Sequence, residues 1–145
     1  MKISIASDHA GFELKEEVIG WLNEKKYTII DNGCFSIESV DYPDFAHKVA
    51  QDITNNNADF GFVICGSGNG VNMVVNKYAK IRSALCWTSE ISKLARLHNN
   101  ANICAIPARF ISKEDAKLIV EMFLNTNFEG GRHQLRIDKI PINKV

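Results

Sequence analysis

Phe60-Gly61-Phe62-Val63-Ile64-Cys65-Gly66-Ser67-Gly68-Asn69-Gly70 is the stretch that decides how this chain folds. Its first five residues form an apolar run without polar alternation, the pattern of a strand buried on both faces. The run ends in a thiol and then a loop holding Gly66, Gly68 and Gly70. Glycine gives up packing and costs ordering entropy, so this density points to a backbone that something must approach closely. Closely spaced N–H groups make an anion-binding concavity, and Cys65 at its mouth offers a base or a nucleophile.

Outward from that strand, short apolar segments alternate with amphipathic ones. Lys2–Ser7, Tyr27–Asp31, Phe60–Cys65, Arg82–Trp87 and Asn102–Ile106 read as strands. Leu14, Val18, Trp21 and Leu22 fall on one helical face, and Phe45, Val49 and Ile53 repeat the spacing behind Pro43. Ala116, Ile119, Val120 and Phe123 mark a further helix, opened by Ser112-Lys113-Glu114-Asp115. The alternation predicts an α/β fold: a doubly wound, Rossmann-like three-layer sandwich around a five-stranded parallel sheet. No linker or repeat divides residues 1–145, which read as one domain, although the tail from Phe128 breaks the pattern. In such folds ligands bind beyond the carboxyl ends of the strands. Ser7-Asp8-His9-Ala10-Gly11, Asp41-Tyr42-Pro43 and the Cys65–Gly70 loop are placed there to share a pocket.

Composition narrows the partners. The chain has 145 residues, 46% hydrophobic and 23% charged, with zero formal net charge and no block of like charges. Nucleic acid and anionic membrane both require a basic footprint, so neither is expected. The Lys2–Ala6 run is too short for a signal peptide or membrane span, which predicts a cytoplasmic protein. Cys34, Cys65, Cys86 and Cys104 show neither a C-x-x-C pair nor zinc-ligand spacing, and no metal is expected. Cys86 and Cys104 lie in apolar runs and read as small buried hydrophobes. Cys34 carries no assigned role.

The glycine loop lacks the Gly-Lys-Ser/Thr of a phosphate-binding Walker loop, and Val71 stands where a dinucleotide loop needs its third glycine. A plain structural turn is the rival reading. Against it, a helix beginning near Val71 would aim its N–H groups at the loop and favour the Cys65 thiolate. Asp8 could be only a helix N-cap, and His98-Asn99-Asn100 only a helix C-terminal cap. His47 reads as a surface residue. Arg132 and Arg136, four apart, share a face if helical and suit capture of a phosphate, and Gly130-Gly131 lets that tail fold back.

Ser7–Phe12, Asp41-Tyr42-Pro43, Cys65–Gly70, Asn76-Lys77, His98-Asn99 and Gly130-Gly131-Arg132-His133 with Arg136, in this order, resemble the type B ribose-5-phosphate isomerases. That family also includes galactose-6-phosphate and allose-6-phosphate isomerases. The resemblance covers essentially the whole chain. It implies an aldose–ketose isomerase, a homodimer or dimer-based tetramer, and no cofactor. It makes Cys65 the base that moves a proton between C1 and C2, Ser67 its hydroxyl helper, and His98 the residue that opens the furanose ring. The Gly66, Gly68, Asn69 and Gly70 amides match the site for the enediolate oxygens. Asp8, His9, Tyr42 and Asn99 match substrate contacts, and Arg132, Arg136 and Arg109 match phosphate-site arginines. One branch of the family has a glutamate base at the position of Val71, so this chain resembles the cysteine branch.

Such a fold also constrains geometry. Each helix runs back along the sheet, so His98, which ends the helix before the last strand, should lie at the opposite edge from Cys65. If both act, they meet across a subunit interface, with His98 and Asn99 supplied by the partner chain. Ribose 5-phosphate is the expected substrate; allose 6-phosphate or galactose 6-phosphate is the alternative. From another class, a non-catalytic sugar-phosphate-binding module remains, whereas a thiol-redox enzyme would need a resolving cysteine.

Overall fold

Side chains alternating across each strand divide the core in two. Ile3, Ile5, Phe62, Ile64, Cys104 and Ile106 face one layer of helices, while Ala6, Val63, Cys65, Ile103 and Ala105 face the other. The computed structural model describes residues 1–142. Its elements are β1 (Lys2–Ser7), α1 (Phe12–Glu24), β2 (Thr28–Asp31), α2 (Tyr42–Thr54), β3 (Phe60–Cys65) and α3 (Asn69–Val75). They continue with β4 (Ser83–Leu85), α4 (Ser89–Asn99), β5 (Ile103–Pro107), α5 (Lys113–Asn125) and α6 (Arg132–Ile137). The five strands are all parallel, in the order β2-β1-β3-β5-β4. This is the doubly wound α/β sandwich that the alternation predicts.

The first layer packs Leu14, Val18 and Leu22 of α1 with Ala95 of α4 and Ala116, Ile119, Val120 and Phe123 of α5. Phe123 meets Phe60 and Phe62 edge-on, at centroid distances of 5.8 and 5.7 Å. The second layer packs Ala46, Val49, Ala50 and Ile53 of α2 with Val71 and Val75 of α3. Burying an aliphatic or aromatic side chain of this size contributes about 1.5–3 kcal/mol, so both faces of the sheet are driven to stay covered.

Strand order reverses between β1 and β3, which are paired from Ile3↔Phe60 to Ser7↔Ile64. The loops after Ser7 and Cys65 therefore leave neighbouring strand ends, and the Asp8 N–H donates to Ile64 O at 3.1 Å. That crevice is where this fold offers a ligand site.

Local chemistry moves several boundaries. Gly11, not Asp8, is the N-cap of α1; the Asp8 carboxylate instead accepts the Gly11 N–H at 3.0 Å. β4 is shorter than Arg82–Trp87 because side chains intercept its start: Asn102 Oδ1 takes the Arg82 N–H and Asn76 Oδ1 takes the Ser83 N–H. Its far end turns early into Thr88, the cap of α4, whose Oγ1 accepts the Ile91 N–H at 3.2 Å. α3 begins at Asn69, two residues before Val71.

The carboxyl end of α4 is firmly held. Arg96 lies over the Phe60 ring and donates to Asn100 Oδ1 and Ala101 O, while Arg82 Nε donates to Asn99 O and Asn100 O. Two guanidinium groups thus sit where a helix presents unsatisfied carbonyls. Among the described residues, no helix is long and apolar enough to cross a membrane.

Candidate active site

Cys65 ends β3 and is 5% exposed. The chain then turns so that the Gly68 N–H donates to Cys65 Sγ at 3.1 Å. Gly68 takes a left-handed φ of 73°, and a Cβ there would lie 2.4 Å from Leu85 Cδ1, so only glycine makes this turn. The turn therefore places a backbone donor directly against the sulfur. Because α3 has only seven residues, the Gly68 N–H itself, rather than a long helix dipole, is the principal donor.

The other two loop glycines admit the walls of the site. The Tyr42 ring lies against Gly70, where a Cβ would come within 2.6 Å of Cζ. The Arg109 side chain lies over Gly66, and the Arg109 N–H donates to Gly66 O at 3.0 Å. Between these walls opens a cleft of about 420 Å³, lined by Asp8, His9, Ala10, Tyr42, Cys65, Gly66, Ser67, Gly70, Arg109 and Phe110. His9 Nδ1 accepts the Val40 N–H at 3.3 Å, which leaves Nε2 to carry the proton of the neutral ring as a donor. Ser67 is exposed at the mouth, its Oγ accepting the Asn69 N–H at 3.3 Å. A buried sulfur beside backbone donors, a hydroxyl and one guanidinium can remove a proton from a bound carbon acid and hold the resulting oxyanion.

Eight residues named from sequence thus meet in one cleft: Asp8, His9, Tyr42, Cys65, Gly66, Ser67, Gly70 and Arg109. Gly68 acts from behind through its N–H, and Asn69 is exposed at the start of α3. Four others lie apart. His98 and Asn99 end α4, next to the amino end of β5, and Arg132 and Arg136 are exposed on α6. The segment before α6 docks there: the Glu129 N–H donates to Leu97 O at 3.0 Å, and His133 stacks on His98. Phe110 was not named from sequence, Ala10 entered only as part of the Ser7–Gly11 loop, and no role was assigned to Glu129 or His133. The 75% exposure of Phe110 has no periodic signature, and Glu129 is a lone acid before two glycines.

His98, Glu129 and His133 are also a set with metal-ligand chemistry, their donor atoms lying within 4.8 Å of one another. The two rings, however, are stacked 4.2 Å apart and only 13° from parallel. An ion bonds in the plane of an imidazole, and nearly parallel planes do not share one, so this arrangement does not fit a shared metal.

The Ribose/Galactose Isomerase family model matches residues 3–140 of the chain. Ribose-5-phosphate isomerase B of Escherichia coli is 40% identical over 96% of this chain and 93% of that protein. A ribose 5-phosphate isomerase structure from Thermotoga maritima is 54% identical, with a TM-score of 0.95 over 97% of both chains. Ribose-5-phosphate isomerase B from Mycoplasma genitalium, solved with bound ribulose-5-phosphate, is 43% identical with a TM-score of 0.92, over 96% of this chain and 93% of that one.

Proposed function

This chain belongs to the ribose/galactose isomerase family, and from that premise we propose that it interconverts ribose 5-phosphate and ribulose 5-phosphate. It is an aldose–ketose isomerase acting on a phosphorylated sugar. The observation that carries the chemistry is the buried Cys65 sulfur receiving the Gly68 N–H inside the cleft. The thiolate takes the proton from C2 of the open-chain aldose, and the electrons move through an enediolate. The same thiol returns a proton to C1 while the O2 hydroxyl proton passes to O1, giving the ketose. Loop amides and the Ser67 hydroxyl hold the charge on O1 and O2, each well-placed donor lowering the barrier by roughly 3–4 kcal/mol.

Asp8, His9, Tyr42 and Asn99 contact the sugar in this reading. Arg132 and Arg136, with Arg109, hold the phosphate and so position the reacting carbons through remote binding energy. His98 donates a proton to the ring oxygen when the furanose opens. The separation of His98, Asn99 and α6 from the Cys65 cleft supports a homodimer, or a dimer-based tetramer, with composite sites. We read residues 1–145 as one isomerase domain whose tail, from 128, carries the phosphate arginines; residues 143–145 lie outside the described residues. The four cysteines are free thiols, which suits a reducing cytoplasm.

Turnover of ribose 5-phosphate beside allose 6-phosphate and galactose 6-phosphate tests the reading. Faster isomerisation of the pentose supports it. Preference for a hexose selects that substrate instead, and saturable binding without turnover selects a binding module.

A further inference from the structure

His98 and His133 lie face to face, and Glu129 sits at the edge of both rings. Its Oε2 is 3.5 Å from His133 Nε2 and 3.9 Å from His98 Nε2. Three backbone features bring them together. The Glu129 N–H is bonded to Leu97 O on the last turn of α4, Gly130 and Gly131 turn the chain at positive φ, and the His133 N–H closes on Gly130 O at 3.1 Å. The trio is therefore built by the fold rather than by side chains meeting in solvent.

The two rings are unequal. The His133 side chain is 7% exposed and that of His98 36%. His133 Nε2 is buried and has no hydrogen-bond partner among the described residues. Burial holds the His133 pKa below its ordinary value, aided by His98, Arg132 and Arg136 and opposed by Glu129. A neutral ring can lie on the face of an imidazolium, where a second imidazolium would be repelled. The cluster thus has room for one positive charge, with a carboxylate beside it.

We infer that Glu129 and His133 are positioning residues for sugar-ring opening: they fix the orientation of the His98 ring and offset its positive charge while it carries a proton. The inference rests on the isomerase reading above and deepens it. In the step itself the C1–O4 bond breaks and O4 takes the His98 proton. O1 gives its proton to water as the C1=O bond forms, and solvent then reprotonates His98. His133 presents a flat face that stops the imidazole from rotating, and Glu129 anchors the edge.

The test separates ring opening from proton transfer at carbon. Ribulose 5-phosphate has its terminal oxygen blocked by phosphate and has no furanose ring to open, so exchange of its C1 hydrogen with D2O needs the Cys65 chemistry alone. Glu129→Gln and His133→Ala, in the full chain, should slow turnover of ribose 5-phosphate about tenfold or more while leaving that exchange within about twofold of wild type. His133→Phe, which keeps the flat face, should recover most of the turnover that His133→Ala loses. Turnover that does not fall, or turnover and exchange that fall together, overturns the inference. A wild-type protein that performs neither reaction contradicts the isomerase reading instead.

Discussion

The Gly68 N–H lies 3.1 Å from the Cys65 sulfur, within a turn that buries both residues. One backbone dihedral thereby couples the shape of the loop to the donor that the Cys65 sulfur receives. Phosphate binding needs no such contact, because an anion cradle works without a thiol. The contact supports the proposed proton-transfer role of that sulfur.

Gly68→Ala should break that coupling. The new Cβ would meet Leu85 Cδ1 at 2.4 Å on a backbone with φ of 73°. We expect a loss of about 1–3 kcal/mol in urea unfolding, together with a fall in turnover of at least about tenfold. Leu85→Ala, added as a second substitution, should relieve the clash but not the strained dihedral, so activity should stay low.

A composite site predicts complementation. Cys65→Ala and His98→Ala proteins, each inactive alone, should regain activity when their subunits are exchanged, because a mixed dimer rebuilds one intact site of its two. Mass spectrometry would verify the exchange. No recovery in verified mixed dimers would place both residues' work within one chain.

Lys15 is wholly buried, and its Nζ is 2.7 Å from both Asp31 Oδ2 and Glu16 Oε1. Asp31 Oδ1 also accepts the Gly33 N–H at 2.9 Å, so the carboxylate serves two partners. Asp31→Asn leaves a buried ammonium with weaker compensation and should cost about 3 kcal/mol in urea unfolding. Lys15→Met replaces the stem with apolar volume and should cost less than Asp31→Asn. The reverse order would mean that the ion pair adds net stability of its own.

Acid should weaken the fold through His133. Its pKa lies below the ordinary 6.5 in the folded chain, so as pH falls through about 6.5 the unfolded chain takes up a proton that the folded chain resists. This contribution is fully present above that pH and is lost towards the folded pKa. The wild-type Tm should therefore fall between about pH 7.5 and 5.5, and that of His133→Phe should fall less. Equal slopes would remove His133 from the acid sensitivity.

Fold class was readable because its signals are local and repeated. Phe60–Ile64 has no polar interruption, and α2 keeps its apolar spacing from Phe45 to Ile53, so strand and helix differ by period alone. Boundaries set by side-chain hydrogen bonds were not readable. Asn76 bonds Ser83 from seven residues away and Asn102 bonds Arg82 from twenty, and neither leaves a trace in periodicity. Within the site, Cys65 and its glycines were conspicuous because a strand seldom ends so expensively. Tyr42 was placed at the pocket by its loop beyond the second strand, whereas the wall position of Arg109 followed from the family resemblance alone. Glu129 went unnamed and His133 carried no role of its own because their meaning is tertiary: a carboxylate and a ring matter here only because α6 packs on the end of α4.

Ribose 5-phosphate conversion by wild type and by Cys65→Ala, followed by NMR on proteins of matched fold, bears on the base itself. Wild type should equilibrate the two sugars, and Cys65→Ala should be slower by on the order of a thousandfold while still binding the sugar phosphate. Undiminished turnover in Cys65→Ala would contradict the assignment of the thiol as the base.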